Sequence, residues 1–426
     1  MIDTVRTWFL LRHLRAAVKE NPGKVRDLQD GLLRDAVGYA YDRVPFYRRF
    51  WDERGFEPRG FRGLQDLGRI PILTSQMVRE DSDREGLLAS NVDTTRCSYL
   101  DTAGSSGSPP LRVWRQALEE RVWRATGLCI WFEHGFHWRH VTARFQTRAG
   151  PAHALQRLGI SRVTWIPTDR AIDEQLAQFR EAKADVVVGT PTSLRSIAGV
   201  LETSNEEFKP PRILLSQGEL LDRETRQTAQ RVFGIDPVDV YGQTEVGYIA
   251  WQCEQRDGFH VNAATHLVEV LRQGEPARPG ELGAIVVTDL RNRTMPFLRY
   301  DTGDLAVAAT GPCPCGRRLP LLGSIEGRAQ RSIVLEDGRI VTPRTIIDSL
   351  AGRLRLGEYR LHQQATNRFR LELLTQEGTG VSQAILSGTL REILGNVEIS
   401  IEAVESWPAD GREKTHPISS EVPLRL

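Results

Sequence analysis

Lysine is nearly missing from this chain. The 56 basic residues are almost all arginine, and the lysines are Lys19, Lys24, Lys183, Lys209 and Lys414. None of them follows the Gly/Ser-rich stretch near residue 105, which argues against a Walker-type phosphate loop. Five cysteines in 426 residues are too few for a disulfide framework. No apolar run approaches the ~18 residues that a membrane helix needs. The first fifteen residues are interrupted by Arg6, Arg12 and Arg15, so a signal peptide is not expected and the cytoplasm is the expected compartment. Net charge is also lacking. At +1 the chain has no general attraction for nucleic acid or anionic lipid, and neither paired C-x-x-C motifs nor a basic patch suggests a zinc ribbon on nucleic acid.

With 40% hydrophobic and 26% charged residues, the composition is that of an ordinary globular protein. A length of 426 residues favours one large domain and one small one. Leu32, Leu33, Ala36, Val37, Ala40 and Val44 recur at helical spacing until Pro45 ends the run. Val186–Val188 before Gly189, and Ile213–Leu215 before Ser216, read as buried strands. A helix between Asp222 as N-cap and Gly234 as C-cap leads to a further strand, Val238–Val240. Strand, helix and strand in alternation predict an α/β sheet with ligands at the carboxyl ends of its strands. After Gly327 the pattern changes. A hairpin about Glu336-Asp337-Gly338, helices near 344–354 and 382–394, and strands near 369–373 and 397–403 predict a small α+β domain. The expected division is therefore 1–327 and 328–426, with no internal repeat.

The polar segments fall at the predicted strand ends. Gly104-Ser105-Ser106-Gly107-Ser108-Pro109 offers hydroxyls and backbone N–H groups that could cradle a polyphosphate; read alone, it is equally a flexible linker. Asp304, on what reads as a tight turn with Gly303, could accept both hydroxyls of a ribose, or be a plain surface turn. Glu245, after the turn Gly242-Gln243-Thr244, is a hard oxygen ligand suited to Mg²⁺ beside a phosphate.

Cys253, His260, Cys313 and Cys315 are a stronger signal. Three thiolates and an imidazole suit a closed, structural zinc site, with His266 as a substitute ligand and Gly316 able to turn beside a thiolate. Cys97 and Cys129 read as buried thiols. His134, His137 and His140 lack an acidic or thiol partner at ligand spacing. Trp123, Trp131, Phe132, Phe136 and Trp138 read first as core, and second as the wall of an apolar acid pocket.

Taken together and in this order, the segments resemble the phenylacetate–CoA ligase branch of the adenylate-forming superfamily, including its relatives in capsular polysaccharide synthesis. The resemblance spans essentially the whole chain and includes Val44-Pro45-Phe46-Tyr47 and Ile70-Pro71-Ile72-Leu73-Thr74, similar to family segments without a catalytic role. It implies a large multi-sheet adenylation domain with a small mobile lid. It also implies a two-step reaction in which a small organic acid attacks ATP to give an acyl-adenylate, and coenzyme A then displaces AMP. Ser105, Ser106, Gly107 and Ser108 would hold the outer phosphates. Ser216, Gln217, Gly218 and Glu219 would border the adenine beside Tyr241 and Gly242. Thr244 and Glu245 would address the α-phosphate and Mg²⁺, Asp304 the ribose, and Arg328 the nucleotide near the hinge. The resemblance further implies zinc on the Cys/His set and admits a homodimer.

The chain departs from the family pattern twice. Where the family has lysine after glycine in a C-terminal loop, Gly411 is followed by Arg412, and Lys414 comes two residues later; Gln330 stands at a hinge position that is often acidic. Arginine keeps the charge without the reach of lysine. Two alternatives therefore stay open: transfer to an amine or a carrier-protein thiol, and a catalytically degenerate, zinc-stabilised nucleotide-binding homologue.

Overall fold

The computed structural model describes residues 2–19, 21–81, 86–102, 110–147, 156, 159–204, 207–351, 353–354, 359–374, 382–407 and 417–424. Ser105, Ser106, Gly107 and Ser108 lie outside them, as do Arg412 and Lys414. Among the described residues no helix is long and apolar enough to cross a membrane.

A twelve-stranded sheet dominates the molecule. Its parallel half consists of Val163–Ile166, Thr142–Phe145, Val186–Gly189, Ile213–Gln217 and Val238–Gln243, adjacent in that order. Both faces are covered, which is why Val186–Gly189 and the first residues of Ile213–Gln217 read as unbroken apolar runs. Val187 and Leu214 face the helices Ile172–Ala182, Pro191–Ser204 and Arg223–Phe233. Val186, Val188, Ile213 and Leu215 face the opposite layer, where Ile130 of helix Ala117–Glu133 packs. Helix Arg223–Phe233 is bounded as its sequence predicts. The Asp222 carboxylate accepts from Thr225 N at 2.8 Å, and Gly234 leaves the helix at φ 76°.

Beyond Gln243 the chain reverses at a turn through Glu245 and returns antiparallel as Gly247–Trp251. The sheet continues through Phe259–Val261, Leu321–Arg328, Tyr300–Ala308, Leu282–Asp289 and His266–Arg272. Against this half pack the N-terminal helices Pro22–Arg43 and Pro45–Asp52, through Leu33, Val37, Tyr47 and Trp51. The two N-terminal segments without a catalytic role turn out to be braces. The Tyr47 hydroxyl donates to Pro296 O at 2.8 Å and accepts from Leu298 N at 2.9 Å. Leu73 exchanges backbone bonds with Arg299 and Asp301, at 3.0 and 2.8 Å. Both therefore fix the entry into strand Tyr300–Ala308.

After Arg328 a small α+β module follows. It has the hairpin Ile333–Val334 and Ile340–Val341, helices Pro343–Leu350 and Gln383–Leu394, and a four-stranded sheet. Its buried cluster draws only on residues from Ile333 onward, with Leu220 of the large half packed at its edge.

Candidate nucleotide site and metal centre

The carboxyl ends of two parallel strands carry residues 216–219 and 241–245, as the sequence pattern predicts, whereas Asp304 and Arg328 lie within antiparallel strands and the Gly/Ser stretch lies outside the described residues. Ser216 pairs in register with Asp239, so the loop after Gln217 lies beside the strand that ends in Tyr241–Gln243. Ser216 is fully buried, and its hydroxyl has no partner among the described residues. Gly218 turns at φ 84°, a conformation costly for other residues, and delivers Glu219 to the first turn of helix Pro191–Ser204. There its carboxylate accepts from Thr192 N and Oγ1 at 3.1 and 2.6 Å.

Asp304 is the hub of the site. It is not on the surface turn that Gly303-Asp304 suggests: it lies inside strand Tyr300–Ala308 and is only 8% exposed. Gly303 does adopt a turn-like φ of 71°, but within the register shift between Asp301 and Leu305 in the ladder with strand Leu282–Asp289, rather than in a loop. The Asp304 Oδ2 accepts from the Tyr241 hydroxyl at 2.9 Å and Gln243 Nε2 at 2.7 Å. Arg328, its cross-strand partner, approaches Oδ1 at 3.2 Å and donates to Thr302 O at 2.7 Å. Three donors, one a guanidinium, hold Asp304 as an ordered carboxylate acceptor. Burial, reinforced by the same carboxylate charge, keeps the Tyr241 hydroxyl protonated well beyond the ordinary phenol range.

Glu245 sits on the turn next to this hub, its Oε1 accepting from the Tyr300 hydroxyl at 3.2 Å. The neighbouring Thr244 carbonyl accepts from Arg115. No sequence motif singles out Arg115. It is 4% exposed, makes no ion pair among the described residues, and its Nη1 has no hydrogen-bond partner there. Burial lowers its affinity for a proton, opposed by Glu120, Asp289 and Glu245 at longer range. A buried, incompletely satisfied cation beside Thr244 and Glu245 is an anion-directed feature. Gln243, which tethers both Asp304 and the Thr302 carbonyl, likewise carries no individual signal in the sequence.

Thr102 and Leu111, on either side of the Gly/Ser stretch, are joined, Leu111 N donating to Thr102 Oγ1 at 2.9 Å. Of the aromatic residues, Phe132, Phe136 and Trp138 pack edge to face as core. Trp123 differs: it stacks on Tyr248 with centroids 5.8 Å apart, directly against Gly247.

At the other end of strand Leu321–Arg328, the donor atoms of Cys253, His260, Cys313 and Cys315 lie within 4.8 Å of one another. The sulfurs of Cys253 and Cys313 are 3.5 Å apart, and Cys315 Sγ is 3.3 Å from His260 Nε2. Metal–sulfur bonds of about 2.3 Å in a tetrahedron require edges of about 3.8 Å, whereas a disulfide needs about 2.05 Å. The set thus fits a zinc ion and not a covalent bridge. Gln255 N and Arg317 N each point at a ligand sulfur, at 3.4 Å, and Gly316 turns at φ 79°. Burial depresses His260 to about 4, so the ring is neutral and available as a ligand. His266 does not substitute; its ring bonds Thr265 Oγ1 and Val246 O instead. Cys129 is buried as expected, but Cys97 is partly exposed because it sits beside a single-turn segment at the surface. His134, His137 and His140 form no metal-ligating group among the described residues.

No protein-family model matches the chain. The phenylacetate–coenzyme A ligase of Thermus thermophilus is 29% identical over 338 residues, covering 73% of this chain and 72% of its own. The corresponding ligase of Escherichia coli K12 is 26% identical over 328 residues, 73% of each chain. A solved 2-hydroxyisobutyryl-CoA ligase in the postadenylation state with R3-HIB-AMP superposes with a TM-score of 0.74 at 20% identity, over 94% of this chain and 90% of that one. In the thioesterification state the same ligase gives 0.64. The chain is a homologue of the phenylacetate–coenzyme A ligases and has the fold of the adenylate-forming ligases.

Proposed function

We propose that this protein activates a small carboxylic acid with ATP, forming an acyl-adenylate, and passes the acyl group to coenzyme A. The observation that carries the reading is the Asp304 hub. An ordered carboxylate, held by Tyr241, Gln243 and Arg328 beside Glu245, supports the reading in which Asp304 would accept ribose hydroxyls and Glu245 would ligate Mg²⁺. In this reading Ser216, Gln217, Gly218 and Glu219 border the adenine with Tyr241 and Gly242. Thr244 and Glu245 address the α-phosphate, and the Ser105–Ser108 loop holds the outer phosphates. Arg115 adds positive charge where the carboxylate attacks the phosphorus. Displacement at phosphorus demands positioning and charge neutralisation rather than a covalent protein intermediate, and the cluster supplies both.

Residues 328–426 act as the lid, with Lys414 and Arg412 as the cations that complete adenylation. The better superposition on the postadenylation than on the thioesterification state of one ligase is in keeping with such a lid. Cys253, His260, Cys313 and Cys315 would hold zinc, whose contribution is structural because four protein ligands leave no open position. Coenzyme A as acceptor follows the names of the curated homologues.

The test is ATP–pyrophosphate exchange across a panel of aryl and aliphatic acids, then thioester formation on adding coenzyme A. Exchange followed by thioester is the expected result. Exchange with thioester absent and an amide or carrier-bound product formed instead would replace the acceptor. No exchange despite ATP binding would leave the degenerate homologue.

A further inference from the structure

Helix Ala117–Glu133 places Trp123, Gly127 and Trp131 at intervals of four, so they form one stripe along a single face. The stripe lies against Tyr248. A Cβ on Gly127 would come within 2.8 Å of Tyr248 Cε2, and one on Gly247 within 2.7 Å of Trp123 Cδ1. The wall formed by Trp123 and Tyr248 therefore starts at Gly247, two residues past Glu245, and runs away from the nucleotide hub toward Trp131.

Arg144 stands at its far end. It lies on strand Thr142–Phe145, paired in register with Trp165. Its guanidinium carbon is 5.7 Å from the ring centroids of both Trp131 and Trp165, and Nη2 donates to the Tyr248 hydroxyl at 3.4 Å. No acid pairs with it among the described residues, and its buried Nε has no partner there. Arg299, Arg226 and Arg317 are ion-paired, with Glu269, with Asp236, and with Glu133 and Glu254. Arg115 and Arg291, like Arg144, have no ion pair among the described residues and a buried nitrogen without a partner there, and Arg144 differs from them in standing between two indoles. Two indoles could clamp a guanidinium purely as packing, but packing leaves the buried, unpartnered Nε unexplained. A guanidinium cannot shed its proton to relieve burial, so a site built this way is completed by an acceptor, best an anionic one.

We propose that the acid activated here carries a second anionic group, opposite the reacting carboxylate, and that Arg144 is the specificity-determining residue that binds it. The substrate class is thus a dicarboxylic or similarly doubly anionic acid, its middle lying along Trp123 and Tyr248. This rests on the acid-activating reading above and goes beyond it by fixing the chemistry of the acid.

The experiment compares matched pairs, hexanedioate against hexanoate and 4-carboxyphenylacetate against phenylacetate, in ATP–pyrophosphate exchange by wild type, Arg144→Met and Arg144→Lys. Wild type should favour the doubly anionic member of at least one pair by about tenfold or more in kcat/KM. Arg144→Met should abolish that preference, mainly through the acid KM, and Arg144→Lys should restore part of it. An equal or inverted wild-type preference overturns the proposal while leaving acid activation standing. So does an Arg144→Met variant that slows both members by one common factor, or raises the KM for ATP by as much. If no acid supports exchange, acid activation fails. Quenching of tryptophan fluorescence by the same acids then decides: selective binding of the dianions, lost in Arg144→Met, supports the Arg144 site, and unselective binding overturns it. Should Arg144→Met not fold, the wild-type preference and its partial retention in Arg144→Lys support the site, and loss of either overturns it.

Discussion

Asp304 shows how much one residue can organise. Its two oxygens receive Tyr241, Gln243 and Arg328, and its backbone belongs to a strand, so its position is fixed by the protein alone. Asp304→Ala should raise the KM for ATP by about a hundredfold, from two lost charge-assisted hydrogen bonds at about 1.5 kcal/mol each. Exchange kinetics would show it, and an unchanged KM would remove Asp304 from nucleotide binding. A second prediction concerns Asp239, two residues before Tyr241. Burial raises its carboxyl from 3.8 to about 6, opposed by Arg344 and Arg226. The folded state therefore holds its proton more tightly than the unfolded chain, and stability declines as pH rises through that window. Asp239→Asn removes the penalty, which amounts to no more than about 3 kcal/mol. It should raise the denaturation midpoint more at pH 8 than at pH 5; an equal rise at both would mean that Asp239 does not titrate there.

At the scale of elements, Tyr47 and Leu73 connect N-terminal segments to the strand that bears Asp304. Tyr47→Phe would leave Leu298 N and Pro296 O without their partner in the interior, which costs about 1–3 kcal/mol. Chemical denaturation should report that loss. A modest rise in the KM for ATP should accompany it, since the strand entry is what the hydroxyl fixes; unchanged stability would show that water replaces the hydroxyl. Elements with complete local signals were legible in the sequence. Helix Arg223–Phe233 was readable because Asp222 and Gly234 are unambiguous caps, and Val186–Gly189 because a strand covered on both faces must be apolar throughout. The Cys/His set was legible because ligand chemistry restricts the residue types. What escaped was set by contact across the sheet. Asp304 looked like a turn because Gly303 carries a turn signal into a strand, and Arg115 and Arg144 look like any other arginine until burial shows them unpaired. Among so many arginines, composition could not pick out the few with buried, unpartnered nitrogens, which include Arg115 and Arg144.

On the scale of the whole molecule, strand Leu321–Arg328 links two sites of different kinds. Leu321 pairs with His260 at the candidate metal end, and Arg328 pairs with Asp304 at the candidate nucleotide end. Seven residue steps along a strand, at about 3.3 Å each, separate the ends by about 23 Å. Zinc would join the loop after strand Gly247–Trp251 to the Cys313–Cys315 knuckle, closing contacts that are remote in sequence, so its free energy of binding contributes to folding. Purified protein should therefore contain about one zinc per chain, and Cys313→Ser should lose it with a fall of several degrees in Tm. The distance between the sites predicts that a Cys313→Ser sample kept below its own Tm retains a KM for ATP within about threefold of wild type, because Asp304 keeps its donors. Metal analysis, thermal denaturation and exchange kinetics on one preparation separate the effects. A Cys313→Ser protein that keeps its zinc would remove the metal assignment. One that loses zinc and nucleotide binding together, while still folded, would show instead that the strand transmits strain from one end to the other.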